Sequence, residues 1–458
     1  MAFLKTRMPA KGACALTSGS KVDEKNAMTT STAEAKTSRG TITGTHETNG
    51  VCRFSAIPYA AAPTGSLRWQ PPAPAEWQGQ LDATRPGPIA PQTPSRLREA
   101  MGDINEVQSE DCLNLTVWTP AADGKKRPVL VWLHGGAWQS GAGALDWYSG
   151  AHLAALGDIV VVSPNYRLGA LGWLYVPGQT ANTGLLDQEA AIDWVIDNAD
   201  SFGGDPSNIT VMGQSAGAGS IACMLARKPR FQRAILQSTP LGRGLRNRAQ
   251  AETLGQIFLE AAGAGSIDAA RKLPVEAFLK AQQAPEVMAA LKLERSSRSV
   301  FGPVADGLVI PESTANDTDG FKAAAGKVDV IIGSTRDEMR SFPGAPAGDA
   351  GRALGEQLFG APSLQWAKNA ASTGRSAWAY RFDHAPSQAF GACHCIELPF
   401  IFGTLDAYAD APMLKGLDTQ RAAALSREMQ AAWIAFVRTG TAPWTPATPD
   451  ADHLQIFG

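Results

Sequence analysis

The sequence predicts an α/β fold with a mostly parallel central sheet. After Gly40, short apolar runs that favour strands alternate with segments of helical pattern, which is typical of β-α-β units. Several of these runs are apolar throughout rather than at every second position, as expected for parallel strands that are covered on both faces. The predicted strands are residues 129–133, 159–163, 209–212, 234–237, 328–333 and 378–382.

Two segments place their apolar residues at helical spacing. In residues 184–198, Leu185 and Val195 belong to one apolar face, and near the C-terminus a stripe that begins at Leu425 stops at Gly440, a residue type that often ends helices. Both stripes are predicted to be helices that pack into the core, rather than cofactor sites.

The chain divides by composition into a tail and one long domain. Residues 1–38 contain almost no large apolar side chains, too few to offset the entropy lost on ordering, so we predict a flexible N-terminal tail. Residues 39–458 contain no internal repeat and no low-complexity linker. They are predicted to form a single domain.

Composition also excludes several classes of partner. The net charge is −2, so no basic excess is present for nucleic acid or an anionic membrane. No apolar run reaches the roughly 18 residues of a membrane span, and the first residues lack the apolar core of a signal peptide. Six cysteines in 458 residues are too sparse for a disulfide framework. We expect a cytoplasmic protein that acts on a small molecule, and no oligomeric state follows from the sequence.

Residues 213–217 read G-Q-S-A-G between a predicted strand and a helix-prone segment. Hydrolases place a nucleophilic serine on such a strand-to-helix turn, which makes Ser215 the first candidate for catalysis. Because a five-residue pattern of this kind often occurs by chance, the assignment of Ser215 depends on other motifs.

The first supporting motif is H-G-G-A-W at residues 134–138, directly after a predicted strand. Consecutive small residues at this point leave backbone N–H groups exposed, and such groups can bind a developing oxyanion. His134 is predicted to support this loop rather than to transfer protons.

Two residues are candidates for the general base, and two are candidates for its carboxylate partner. The chain order nucleophile, acid, histidine of α/β hydrolases admits both His384 and His394, and the loop position favours His394. Asp337 and Glu338 both follow the strand predicted at 328–333, and either could reach an imidazole. A third carboxylate, Asp306, is better explained as an Asp-Gly turn.

The sequence Cys393-His394-Cys395 also raises the question of a metal. Zinc ligand pairs normally have two to four residues between them and a second pair elsewhere in the chain, and neither condition is met. We therefore expect no metal and no cofactor.

Further motifs extend the pattern over most of the chain: F-S-A-I-P-Y-A at 54–60, S-E-D-C-L-N-L-T-V-W-T-P at 109–120, N-Y-R-L-G-A-L-G at 165–172, F-G-G-D-P-S-N-I-T-V-M-G-Q-S-A-G-A at 202–218 and R-A-I-L-Q-S at 233–238. From about Gly40 to Thr439 the sequence resembles the type-B carboxylesterases, a family that includes bacterial para-nitrobenzyl esterases and, more distantly, cholinesterases.

The resemblance implies an α/β-hydrolase fold and a set of roles. It identifies Ser215 as the nucleophile, Glu338 as the triad acid and His394 as the base, so that Asp337 becomes a neighbour. The implied oxyanion donors are the backbone N–H groups of three residues: Gly136, Ala137 and Ala216.

The sequence departs from the family pattern at several positions. Gln214 replaces the usual glutamate before the nucleophile, and Ala137 replaces the third glycine of the oxyanion loop; both are tolerable because the donors are backbone groups. Asn114 and Met339 are expected to change packing only. Cys112 has no cysteine partner in residues 86–108, so we expect a free, buried thiol, and the same loop lacks the tryptophan of a cholinesterase-like cation site.

The stretch between Glu338 and His394 is shorter than this family usually has. We therefore expect a shortened helical lid and an open pocket that accepts bulky esters. The implied reaction is ester hydrolysis through an acyl-enzyme. The alternatives are the same chemistry on a carbamate, an amide or a complex natural ester, and a non-catalytic binding module of the same fold.

Overall fold

A large central sheet organises the protein. The computed structural model describes residues 32–294, 299–315, 318–451 and 453–458. Its strands are β1 Thr32–Thr37, β2 Gly40–His46, β3 Cys52–Pro58, β4 Gly79–Asp82, β5 Asn114–Thr119, β6 Arg127–Leu133, β7 Val160–Pro164, β8 Gly204–Gln214, β9 Arg233–Gln237, β10 Arg246–Asn247, β11 Val304–Ala305, β12 Asp329–Thr335, β13 Ala377–Phe382 and β14 Leu454–Phe457.

The helices connect these strands and cover the sheet. They are α1 Arg98–Met101, α2 Ala151–Gly157, α3 Gly169–Trp173, α4 Thr183–Asn198, α5 Ala216–Leu225, α6 Arg248–Ala261, α7 Ile267–Ala270, α8 Val275–Ala281, α9 Pro285–Leu293, α10 Lys322–Ala325, α11 Gly348–Gly355, α12 Ala361–Ser372, α13 Leu398–Phe402 and α14 Thr419–Thr439. Among the described residues, none of the helices combines the length and the apolar character that a membrane span needs.

The twelve-stranded sheet has the order β1-β2-β3-β5-β7-β6-β8-β9-β12-β13-β14, with β4 paired to β2. From β7 to β14 every neighbouring pair is parallel, whereas β1, β2, β3, β5 and β7 pair antiparallel. The six predicted strands are β6, β7, β8, β9, β12 and β13, and all of them belong to the parallel part. The predicted fold class is confirmed.

The parallel strands are buried on both faces, which explains why their sequences are apolar throughout. Along β6, Val129 and Val131 belong to one hydrophobic cluster and Leu130 and Trp132 to another on the opposite face. Helices α4 and α5 contribute to the first cluster, and α14 contributes to the second. Both predicted helical stripes are therefore core contacts, and Gly440 ends α14 with a φ of 77°.

The boundary predicted at residue 38 is different in the structure. Thr32–Thr37 form β1, which pairs antiparallel with β2 along its whole length. Ala33 and Ala35 face the core and are buried. Two small side chains and a complete ladder of backbone hydrogen bonds suffice to order this strand at the edge of an existing sheet. Residues 32–458 form one compact unit, and the predicted tail residues 1–31 lie outside the described part.

Candidate active site

Ser215 lies on a sharp turn between β8 and α5. Its backbone has φ 54° and ψ −117°, a conformation that is costly for a residue with a side chain. The backbone N–H of Ser215 donates a hydrogen bond to Gln237 O on β9 at 2.8 Å, and this bond holds the turn in place. A Cβ at Gly217 would lie 2.0 Å from Leu133 O, so only glycine allows α5 to begin this close to β6.

A loop after β6 brings backbone donors beside Ser215. Gly136 has a φ of 116°, and a Cβ there would lie 2.0 Å from Ser140 O. Ala137 follows with φ 56°. Within the described residues, the N–H groups of Gly136, Ala137 and Ala216 donate no hydrogen bond. All three residues line one cleft together with Ser215 and His394, so their free donors are available to a bound oxyanion.

His134 is part of the support for this loop. Its ring stacks on Tyr166 at 4.3 Å between centroids, and Nδ1 lies 2.7 Å from Gly135 O. The Tyr166 hydroxyl donates to His134 O at 2.6 Å. Burial lowers the pKa of His134 to about 4, so the imidazole stays neutral at ordinary pH. These contacts agree with the predicted supporting role.

Glu338 and His394 are in direct contact. Glu338 follows β12, His394 lies in the loop before α13, and the two side chains are each 1% exposed. His394 Nδ1 contacts Glu338 Oε2. The other carboxylate oxygen accepts hydrogen bonds from Ser238 Oγ at 2.6 Å and from Thr335 N at 2.8 Å. The carboxylate therefore fixes the orientation of the imidazole ring through Nδ1.

Asp337, the other candidate acid, has a different task. Its Oδ2 accepts from Ala392 N at 3.1 Å, and its own N–H donates to Ala392 O at 2.9 Å. It is also paired with Arg336 at 2.8 Å. Asp337 thus holds the loop that carries His394 and makes no contact with the imidazole.

The remaining candidates lie outside the cleft. His384 packs edge-on against Phe400, 5.6 Å between ring centroids, and does not line the cleft with Ser215. Asp306 accepts from Val309 N at 3.0 Å and from Ile310 N at 2.8 Å, which is the predicted turn. Among the described residues, no three histidine, cysteine, aspartate or glutamate side chains converge as metal ligands.

Comparison with known proteins identifies the family. The family model for carboxylesterases matches residues 31–349 and 340–454. The chain belongs to the carboxylesterase family. It is 41% identical to a probable N-octanoylanthranilate hydrolase from Rhodococcus erythropolis, over 88% of this chain and 91% of that protein. It is 37% identical to the para-nitrobenzyl esterase of Bacillus subtilis strain 168, over 88% and 89% of the two chains.

The solved structures agree. A PNB esterase structure superposes with a TM-score of 0.82 at 31% identity and covers 93% of this chain and 96% of that one. This carboxylesterase therefore has the α/β-hydrolase fold that the sequence predicted, and it is a carboxylic ester hydrolase.

One departure of this carboxylesterase from the family pattern has a structural consequence that sequence reasoning missed. Gln214 is buried, and its Nε2 lies 3.1 Å from Nε2 of His394. Since Nδ1 faces a carboxylate and carries a proton, Nε2 is an acceptor and the Gln214 amide donates to it. Within the described chain, no hydrogen bond joins Ser215 Oγ to His394. In the sequence, only the position of Gln214 next to Ser215 indicated that this side chain could reach His394.

A second buried carboxyl lies behind the site and was also missed. Glu397 is fully buried, and burial together with the nearby Glu338 charge raises its pKa to about 8. Its one hydrogen bond from a described side chain comes from Gln237 Nε2 at 3.4 Å. Glu397 is therefore protonated at neutral pH. An acidic residue between Ile396 and Leu398, three positions after His394, was the signal in the sequence.

The cysteines that the structure describes are buried thiols. Cys112 is free and fully buried, as predicted, and burial raises its pKa. Cys393 and Cys395, on either side of His394, are also free and buried. Their burial likewise raises both pKa values, so these thiols do not ionise at neutral pH.

The cleft over Ser215 has an empty volume of about 670 Å³, which includes space open to solvent. Its walls come from three distant segments, represented by Arg96, Trp138 and Arg243. A neighbouring cavity, with an empty volume of about 540 Å³ that also includes space open to solvent, is lined mainly by apolar side chains. Trp138 and Arg243 line both spaces, so the two are adjacent and share a wall.

Proposed function

We propose that this carboxylesterase acts through an acyl-enzyme formed on Ser215. Glu338 and His394 complete the triad, and the N–H groups of Gly136, Ala137 and Ala216 form the oxyanion hole. The observation that carries the proposal is the contact between Glu338 and His394 beside the same cleft that Ser215, on its strained turn, also lines. All three triad positions are filled, which disfavours a non-catalytic binding module.

The reaction follows from these positions. The Glu338 carboxylate keeps the proton on Nδ1 of His394, so Nε2 takes the proton of Ser215 as Oγ attacks the ester carbonyl. In the reacting complex Ser215 Oγ takes the place of the Gln214 amide at Nε2, because catalytic hydrogen bonds often tighten only when substrate is bound. His394 then protonates the leaving alcohol, and water repeats the cycle on the acyl-enzyme.

The cleft also supports a proposal about substrate size. With the adjoining cavity, it offers room for a large acyl or alcohol group, so we infer a preference for bulky or aryl esters over acetyl esters. A second candidate activity is hydrolysis of N-acyl compounds. It is favoured by the relative at 41% identity, whose name specifies an N-octanoyl substrate.

A substrate panel tests both parts of the proposal. The panel contains para-nitrophenyl esters of increasing chain length, a matched anilide and a matched carbamate, each assayed with the wild type and with Ser215→Ala. We expect ester hydrolysis that rises beyond the acetyl ester and depends on Ser215. More than a tenth of the wild-type rate in Ser215→Ala would defeat the triad, and a strict preference for acetyl esters would defeat the open pocket.

We also propose that the enzyme works in the cytoplasm. The free thiol of Cys112 supports a reducing compartment. Fractionation of the source cells, followed by thiol counting on the native enzyme, tests the proposal. Recovery outside the cytoplasm, or an oxidised Cys112, would contradict it.

A further inference from the structure

A π-helical turn lies in the stretch of chain between Glu338 and His394. It spans Glu356–Gly360 and joins α11 directly to α12. Such turns are rare, and they occur frequently at functional sites. The local sequence explains why the helix widens here. Pro362 cannot donate the hydrogen bond that an α-helix directs to the carbonyl of Leu358, and its ring would clash with that carbonyl.

The helix that contains this turn packs closely against the residues around the site. A Cβ at Gly242, in the loop after β9, would lie 2.3 Å from Gln357 O, so the loop approaches the backbone of the turn directly. A Cβ at Gly355 would lie 3.2 Å from Cβ of Glu338. The helix therefore contacts both the loop after β9 and the carboxylate residue that orients the imidazole.

Phe359, in the π-helical turn, reaches the proposed base. It is 1% exposed, and its ring centroid lies 5.2 Å from that of His394, with 45° between the two ring planes. Phe359 forms a small hydrophobic cluster with Met339 and Leu358, and Phe342 packs against this cluster. The ring of Phe342 also contacts the imidazole, at 5.0 Å and 46°. Two aromatic side chains therefore pack on His394.

The two aromatic side chains differ in what else they contact. Phe342 lines the cleft over Ser215, whereas Phe359 lines neither the cleft nor the adjoining cavity. Phe359 therefore contacts the base without facing a bound substrate. A change at Phe359 can reach the reaction only through His394, which makes Phe359 a positioning residue rather than part of the walls.

The hydrogen bonds of His394 do not stay the same during the proposed reaction. Glu338 remains at Nδ1, but Nε2 changes its partner from the Gln214 amide to Ser215 Oγ and then to the leaving alcohol. A single lasting hydrogen bond at Nδ1 leaves the ring able to tilt about that contact. The packing of Phe359 on the ring does not change with the partner of Nε2, so it can restrict this tilt throughout the cycle.

We propose that the π-helical turn is a positioning element for the base: it places Phe359 against the imidazole and fixes the ring plane while the partners of Nε2 change. The inference rests on the proposed function, because Phe359 acts only through His394. Without the Phe359 ring, the imidazole keeps its contact with Glu338 but loses its aim at Ser215 Oγ. A misplacement of about 1 Å is enough to slow a reaction about 100-fold.

Four variants test the inference. Phe359→Ala removes the ring, and Phe359→Leu keeps much of the apolar volume without the flat face. Leu358→Ala is the matched control, because Leu358 is a buried neighbour in the same turn and the same cluster. Deletion of Gln357, which is exposed, removes the additional residue of the π-helical turn and rotates Phe359 by about 100° relative to α11.

The assays separate positioning from loss of folded enzyme. Each variant is titrated to completion with diethyl 4-nitrophenyl phosphate, and the released nitrophenol counts the sites that can react. The values of kcat per labelled site and of KM are then measured with 4-nitrophenyl acetate and 4-nitrophenyl hexanoate. Thermal unfolding of each variant gives its stability, and Ser215→Ala gives the background with both esters.

We expect Phe359→Ala to lower kcat per labelled site about 10- to 100-fold for both esters, with KM changed less than about 2-fold. The deletion of Gln357 should have the same effect, and Phe359→Leu should restore part of the rate. Leu358→Ala should change kcat per labelled site less than about 2-fold, although it also lowers the unfolding temperature by leaving a cavity. If the deletion variant does not fold, the two substitutions of Phe359 decide the test.

Three results would overturn the inference. The first is a loss below about 10-fold in Phe359→Ala. The second is an equal loss in Leu358→Ala, which would indicate that only the stability of the helix matters. The third is a loss for one ester alone, which would place Phe359 with the walls. If hydrolysis still depends on Ser215, the proposed function survives each of these results. If Ser215→Ala hydrolyses both esters as the wild type does, the proposed function itself fails.

Discussion

The proposed catalytic residues and the residues that line the cleft are positioned in two different ways. Ser215 and Glu338 each follow a buried parallel strand, and His394 is tied to Glu338 by a direct contact. The walls instead combine loop segments around Arg96, Trp138 and Arg243, which are distant in sequence. The reaction therefore depends on local geometry at strand ends, whereas the choice of substrate depends on how remote segments come together. Changes in the first region should reduce every substrate alike, and changes in the second should separate substrates.

The largest expected effect is removal of the nucleophile. Ser215→Ala should lower kcat for every ester by about 10⁶-fold, as loss of a triad serine does elsewhere. Steady-state assays with a para-nitrophenyl ester measure it. Because Ser215 would take part in the reaction of every ester, the loss should be the same for short, long, neutral and anionic esters. A loss confined to some of them would contradict it.

Next in size is the effect of the triad acid. Glu338→Gln keeps the shape of the side chain but removes the charge that holds the imidazole, so kcat should fall about 10³- to 10⁴-fold. Asp337→Asn is the matched control, because Asp337 contacts the backbone of Ala392 and not the imidazole. Its loss should stay below about 10-fold, because the amide oxygen of the asparagine can still accept from Ala392 N and the pair with Arg336 is partly exposed. Equal losses in the two variants would mean that the acid has been misassigned.

A smaller effect on kcat is expected from Ser238, which contacts the carboxylate of Glu338. Ser238→Ala removes the hydroxyl that donates to Glu338 Oε1 at 2.6 Å, while Thr335 N remains as a donor. We expect kcat to fall about 10-fold for all esters, since a hydrogen bond to a charged group is lost. Ser341→Ala is the control, because Ser341 Oγ reaches only Glu338 O, at 3.5 Å. An effect on KM alone would place Ser238 with the substrate walls instead.

The last expected effect concerns stability, and no change in rate is expected from it. Folding raises the pKa of Glu397 from 4.5 to about 8, so between these values the folded protein keeps a proton that the unfolded chain has released. The free energy of unfolding therefore falls as pH rises through this window. Glu397→Gln removes this dependence, and its stability relative to the wild type should increase by about 2–4 kcal/mol from pH 5 to pH 8.

Chemical denaturation at several pH values measures this difference. The decisive quantity is its change with pH, since a constant offset reflects only the different packing of the amide. Parallel stability profiles of the two proteins would show that Glu397 is not protonated in the fold.

The sequence predicted the parallel part of the sheet, because its strands are continuous apolar runs. For the site, the residues alone left two acids and two histidines open, and only the resemblance to a known family pointed to Glu338 and His394, which are in contact in the structure. Strand β1 was missed, since Ala33 and Ala35 give almost no hydrophobic signal until an existing edge pairs with them. The Gln214 contact was missed because it depends on the direction of one side chain. Arg96 and Arg243 belong to segments with no periodic pattern, and only the folded chain places both along one cleft.

Covalent trapping of the active enzyme tests directly whether Ser215 is the nucleophile. The wild type is treated with an organophosphate such as diethyl 4-nitrophenyl phosphate, the released nitrophenol is counted, and the modified peptide is mapped by mass spectrometry. We expect one nitrophenol to be released per chain, a phosphoryl group on Ser215, and a loss of ester hydrolysis in proportion to the labelling. An adduct on another residue, or full labelling of Ser215 with undiminished hydrolysis, would contradict it.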